Sequence, residues 1–243
     1  YSLAANSPDE MIAVDVLLGA VEGLPRPAGV LVVVDANNLR RNLFLATQVL
    51  EARLPTVIAL NMVDRLTASG VNIDIEGLQQ ALGVAVVGIS ATDGTGIEEL
   101  RQAIAAMPST KAVPEFSINA DFDNAVDALT TQFATDPAAS HSLEYRRALL
   151  DNDGFAEQRL SQRHGSAFVA RLAELRAEIG QGRALATLEA RDRYSRIQDV
   201  LSSAEQRSDP MSNRLADVLD RSEERRVGKE CRSRLSTEAN TKK

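Results

Sequence analysis

Two short stretches hold the residue types from which a base-reading site can be built. Asn61-Met62-Val63-Asp64 follows the apolar run Thr56-Val57-Ile58-Ala59-Leu60 and precedes a polar loop. A loop at the end of a buried parallel strand is where an α/β sheet usually holds its ligand. An Asp carboxylate accepts two N–H donors side by side, which matches the N1–H and exocyclic amine on the edge of guanine. An Asn amide both donates and accepts, so it can brace its own loop and touch the ring. The second stretch, Ser90-Ala91-Thr92, ends the run Val84-Ala85-Val86-Val87-Gly88-Ile89. Asn-x-x-Asp alone is more often a turn than a site. The two stretches in this order, about a helix apart, favour the site.

The elements that must position them are legible as alternating strand and helix patterns. Ser7, Pro8 and Glu10 form a helix start, with Ser7 as cap and Glu10 completing a capping box. Met11, Ile12, Val14, Leu17 and Leu18 give that helix an apolar stripe, ended by Gly19 or Gly23. Val30-Leu31-Val32-Val33-Val34-Asp35 reads as a strand buried on both faces. Asn37 or Asn38 caps a helix running to about Ala52, with Leu43, Leu45, Ala46, Val49 and Leu50 inward. Pro55 separates it from the strand into Asn61, residues 74–82 make a short helix stopped by Gly83, and a last helix runs over about 96–107. This alternation predicts a parallel sheet with helices on both sides.

Beyond Pro108 no strand pattern appears up to residue 220. Phe122, Val126, Leu129 and Phe133 stand at helical spacing, as do Leu160, Phe168, Leu172, Leu175 and Ile179. Gly180-Gln181-Gly182 breaks the pattern, which Leu185, Leu188, Tyr194, Ile197 and Leu201 resume. The expectation is an all-helical second domain whose stripes are core. Residues 203–210 read as a polar linker, and Ser212 caps a last segment with Leu215, Val218 and Leu219.

Composition narrows the function classes. The 243 residues are 44% hydrophobic and 25% charged, a globular balance. No apolar run approaches the roughly 18–20 residues needed to cross a bilayer, and no signal peptide opens the chain. It opens on Tyr1-Ser2-Leu3 without a methionine, so a piece of a longer protein is expected. Net charge is −7, but from Arg221 onward eight Lys/Arg stand against four Glu, which leaves residues 1–220 at −11. So acidic a body argues against nucleic acid as a partner. The lone cysteine, Cys231, lies in the last segment, so the body has no disulfide and no thiolate metal site. His141 and His164 are isolated and read as surface or packing residues.

Taken together, these motifs resemble the cytosolic part of the FeoB-type ferrous iron transporters of bacteria. Tyr1, Ser2 and Leu3, followed by Asn6-Ser7-Pro8-Asp9-Glu10, resemble the start of the family's second switch. Val34-Asp35-Ala36 with Asn38-Leu39 and Arg41-Asn42-Leu43 resembles its next strand and helix. Asn61-Met62-Val63-Asp64 is similar to its guanine-specificity motif, and Ser90-Ala91 to its final nucleotide loop. Ala190-Arg191-Asp192-Arg193-Tyr194 and the residues from Ser212 to Leu219 resemble the end of its helical domain and the approach to the first membrane span.

The resemblance implies an α/β fold: an incomplete P-loop-GTPase-like parallel sheet with flanking helices, followed by an all-α helical domain that regulates nucleotide release. Residues 1–108 would be the part of the GTPase domain from the second switch onward, and 109–220 the helical domain. By resemblance Asp64 reads guanine N1 and N2, Asn61 braces the loop, the Ala91 N–H donates to guanine O6, and Ser90 holds that loop in shape. Met62 stands where most GTPases have Lys, which implies weaker nucleotide holding. The implied ligands are GTP or GDP, with Mg2+ in the intact family protein. The implied partner is a membrane-spanning part of the same protein, at the cytoplasmic face of the bacterial inner membrane.

Specificity is thus expected here, but not chemistry. The 243 residues contain no Gly-x-x-x-x-Gly-Lys-Ser/Thr to cradle phosphates and hold magnesium, and the Thr-bearing first switch is missing. No catalytic residue and no metal ligand is assigned, and the chain by itself is expected neither to hydrolyse GTP nor to bind it tightly. In this fold a preceding strand would sit beside Val30–Asp35, so that strand is expected to offer an unpaired edge. Residues 221–243 do not resemble the family and read as an assembly artefact rather than a basic lipid-binding arm. The competing readings are another GTPase of ribosome-assembly type and a non-enzymatic interaction module.

Overall fold

β-Branched runs separated by amphipathic helices build a three-stranded parallel sheet. A computed structural model describes residues 3, 8–21, 23–68, 73–107, 117, 119–134 and 141–204. Tyr1, Ser2, the Ser7 cap and its Glu10 partner's side chain, the His141 side chain, the segment 205–220 and the tail 221–243 with Cys231 lie outside them. The strands β1 (Val30–Asp35), β2 (Thr56–Asn61) and β3 (Ala85–Ile89) lie in the order β1-β2-β3, all parallel. Their register sets Asp35 opposite Asn61 and Asn61 opposite Ile89, so three strand ends line up at one edge.

Around the sheet stand α1 (Pro8–Leu18), α2 (Leu39–Leu50), α3 (Val63–Ala68), α4 (Ile75–Leu82) and α5 (Ile97–Ala106). The start and stop residues act as their chemistry dictates. Asp74 Oδ1 accepts the Gly77 N–H at 2.9 Å to cap α4, and Gly83 closes it at φ 71°. Gly96 precedes α5 at φ 74°, where a Cβ would stand 2.1 Å from the Gly88 carbonyl oxygen; only glycine fits. Arg26, in the loop after α1, donates to the carbonyls of Leu17 and Ala52, pinning the ends of α1 and α2.

One sheet face packs Val32, Val34, Ile58, Leu60 and Val86 against α2 and α4. The other packs Val57, Ala59 and Ile89 against Leu100 of α5 and against Met107. β2 is buried on both faces, but β1 is not: Leu31 and Val33 are 41% and 59% exposed. Among the described residues no helix covers them, because α5 packs against β2 and β3 and does not reach the edge. The expected two-sided burial of this strand is therefore corrected to one side. Ile12 likewise turns away from the core of α1, at 59% exposure, while Val14 and Leu17 are buried.

Among the described residues of the second half all regular structure is helical: α6 (Ala120–Phe133), α7 (His141–Leu150), α8 (Phe155–His164), α9 (Ser166–Gly180) and α10 (Leu185–Ala204). Phe122, Val126, Leu129, Leu160, Phe168, Leu172, Leu175, Leu185 and Leu188 form its core. His164 packs there, its ring 5.5 Å from Phe133 and its Nε2 3.1 Å from the Tyr145 hydroxyl. Gly165, at φ 71°, breaks the 160–179 stripe into α8 and α9. The last helix runs through Ser203 to Ala204, two residues into the stretch that reads as linker.

Candidate functional site

The carboxyl edge of the sheet brings the two predicted loops together. Asn61 is the last residue of β2, and its Oδ1 accepts two backbone amides: Met62 N–H at 2.9 Å and Ala91 N–H at 3.1 Å. One side-chain oxygen thus holds both loops. Met62 is forced to φ 67°, a left-handed conformation that costs an L-residue about 1–2 kcal/mol. The two hydrogen bonds, at about 1 kcal/mol each, are of the size needed to offset it.

Asp64 does not sit on a polar loop as expected from sequence. It lies in the first turn of the short helix α3, because Val63 and Leu66 find apolar contacts in the core beneath. The carboxylate is exposed and makes no hydrogen bond or ion pair among the described residues. On the neighbouring loop Ser90 is buried, its N–H donating to the Thr95 carbonyl at 3.0 Å and its carbonyl accepting the Gly94 N–H at 2.9 Å. Asp93 Oδ1 accepts the Thr95 N–H, and this bond first, then the Thr95 hydroxyl, draws the Asp93 carboxyl below its ordinary value. Ala91 is exposed with its amide directed to Asn61. Of the three residues likened to a second switch, Leu3 is buried and its N–H donates to Gln48 Oε1 at 2.7 Å.

A third element joins the site that residue patterns alone had treated only as a helix cap. Asp35, at the end of β1, accepts the Asn37 N–H and amide on Oδ1 and the Asn38 amide on Oδ2. It caps a 3-10 turn, Ala36–Asn38, whereas Asn38 makes no capping bond to α2. This corrects the expected cap. Burial pushes the Asp35 carboxyl up, but bonds from Asn38 and Asn37, with Arg65 nearby, bring it below its ordinary value. The Asn37 amide reaches the Met62 sulfur at 3.7 Å, so this turn leans on the loop that carries Asp64. The available signal was an Asp closing a strand just before two Asn residues.

A parallel sheet with helices on both faces, two loops held together at its carboxyl edge and a trailing helical bundle define the class: a P-loop-GTPase-type G domain joined to an all-α domain. Residues 1–104 match the family model of FeoB_N, ferrous iron transport protein B. The Fe(2+) transporter FeoB of Salmonella typhimurium is 43% identical over 108 residues, and that of Escherichia coli K12 is 40% identical over the same length. The match covers 43% of this chain, which spans only 13% of the length of these curated relatives. Among solved structures, an NFeoB variant from S. thermophilus bound to mGDP superposes with a TM-score of 0.73 at 27% identity, covering 84% of this chain and 78% of that one. The cytosolic domain of L. pneumophila FeoB gives 0.65 at 28% identity, covering 85% and 77%. Residues 1–104 are thus similar to the N-terminal part of the FeoB transporters.

Proposed function

We propose that this chain is the guanine-nucleotide-binding part of a GTP-dependent ferrous iron transporter, where nucleotide state is coupled to Fe(2+) uptake. The observation that carries the reading is the double hydrogen bond at Asn61 Oδ1, which fixes the loops of Met62–Asp64 and Ser90–Ala91 side by side. Guanine enters between them. Its N1–H and exocyclic amine meet the exposed Asp64 carboxylate, and its O6 shares the exposed Ala91 N–H with Asn61. Met62 lies along the ring through its thioether and methylenes. Adenine presents the opposite edge and leaves the Asp64 carboxylate without its donors, so discrimination on the order of 10⁴ is within reach of such a site.

The phosphates find no counterpart of this kind, since the 243 residues hold no phosphate-loop motif. Among the described residues no three His, Cys, Asp or Glu side chains stand close enough to form a metal site of their own. No hydrolytic step is therefore assigned to this chain. No helix of the described residues is long and apolar enough to cross a membrane. The chain works at the cytoplasmic face of the bacterial inner membrane, with a membrane-spanning part of the same protein as its partner.

Titration of the isotope-labelled chain with GDP and with ADP tests the reading. GDP is expected to bind weakly and to shift the Met62 and Ala91 amides, while ADP shifts neither. Asp64→Asn should cut most of the guanine preference, a loss of roughly 1.5–3 kcal/mol for each of the two charge-assisted bonds. Equal responses to the two nucleotides would defeat the proposal, and micromolar GTP affinity would defeat its weak-holding clause.

A further inference from the structure

One helix belongs to both hydrophobic cores. Leu185 and Leu188, at the start of α10, pack in the helical core, whereas Ile197, Val200 and Ala204 pack in the core under the sheet. Between these halves lies Arg193, fully buried. Its Nε donates to Glu189 one turn back on α10. Its Nη1 donates to Thr47 Oγ1 at 3.0 Å and its Nη2 to Glu51 Oε1 at 2.8 Å, both at the end of α2. The guanidinium also lies 5.5 Å from the Phe44 ring centroid. Arg146 of α7 approaches the same Glu51 at 3.7 Å and pairs with Asp123 of α6.

A buried cluster of this kind adds little net stability, because desolvation offsets most of the attraction. Burial pushes the Glu51 carboxyl up even against Arg193 and Arg146. What the guanidinium fork supplies is geometry: its fixed donors allow one placement of α2 on α10. At the far end, the Ala204 carbonyl accepts the Asp74 N–H at 2.9 Å, and Asp74 caps α4.

Each of the two gripped helices adjoins one loop of the purine site. α2 starts from the turn at Asp35–Asn38, whose Asn37 touches Met62. α4 leads into β3, is bonded to it through Gln79 Oε1 and the Val86 N–H, and β3 ends at Ser90-Ala91. Asn61 Oδ1 can hold both Met62 and Ala91 at only one spacing of these loops.

We propose that α10 is a splint for the purine site: by gripping α2 through Arg193 and α4 through Ala204, it sets the spacing of the two loops. Arg193 is the positioning residue. The inference takes its functional meaning from the guanine-site reading, but its test needs no nucleotide. The measurement is amide exchange and 15N–1H shifts of the full chain in Arg193→Lys and in the double variant E51M/R193M. Lysine keeps the charge and loses the fork; the double variant removes the Arg193–Glu51 pair and leaves apolar side chains of similar volume. In both, Met62 and Ala91 amides are expected to exchange roughly tenfold faster and to shift, while the Ala59 and Leu60 amides in mid-sheet keep their protection.

Unchanged Met62 and Ala91 amides in the double variant would overturn the splint. So would a rise in exchange shared equally by all of β2 and β3, which would make Arg193 a stability residue only. Failure of the parent chain to prefer GDP over ADP, with the exchange pattern as expected, would instead remove the guanine reading and leave the splint standing.

Discussion

Asn61 and Asp35 do at the residue scale what a single strand-end residue can do best: each satisfies several donors at once. Asn61 Oδ1 takes two amides from different loops, and Asp35 takes three donors from its own turn. The Asp35 carboxyl lies below its ordinary value of 3.8, so the sign of its pH effect follows. Its contribution is fully present above that value and is lost as pH falls through the lower folded value. Acidification below about pH 3.8 should therefore release the Asn37 amide before the strand amides, as read from its 15N–1H shift. Asp35→Asn should abolish that early step. Release of Asn37 only together with the strands would show that the turn contributes no separate titration.

At the scale of elements, two features of the sheet make opposite demands on sequence. Gly96 tolerates no side chain, since its φ is positive and a Cβ would strike the Gly88 carbonyl. Gly96→Ala should cost about 2–4 kcal/mol in urea unfolding, through strain in the turn that starts α5. β1 is permissive by contrast. Val33 is 59% exposed, and the outer edge of β1 pairs with no strand among the described residues. Exposed apolar edges promote association between chains. Val33→Lys should reduce self-association in sedimentation velocity and move stability by no more than about 0.5 kcal/mol.

For the whole molecule, the two cores do not divide where the sequence changes character. The C-terminal half of α10 lies under the sheet although it is separated from the strands by five other helices in the chain. Asp15 of α1 also pairs with Arg159 of α8 at 2.7 Å, a second tie between the halves. Ile197 is fully buried in the first core. Ile197→Ala should cost roughly 2–4 kcal/mol, the usual toll of a buried large-to-small change. The loss should appear as faster exchange in β1–β3 rather than in α6–α9. Loss confined to the helical half would contradict the shared core.

The local code was readable because it acts over a few residues. β-Branched runs, the Asp74 cap, the stop at Gly83 and the helix-entry turn at Gly96 set the three strands and the flanking helices directly. The likeness of Asn61-Met62-Val63-Asp64 and Ser90-Ala91 pointed to the family whose model matches residues 1–104 for the same reason: short motifs carry their chemistry in order along the chain. What the sequence left open are matters of distance between remote residues. Asp35 joining the Met62 loop, Leu31 and Val33 facing solvent, and Arg193 reaching Thr47 and Glu51 all depend on which surface meets which. Periodicity tells that a helix has a buried face but not what buries it; only the packed chain chose the sheet as the partner of the second half of α10.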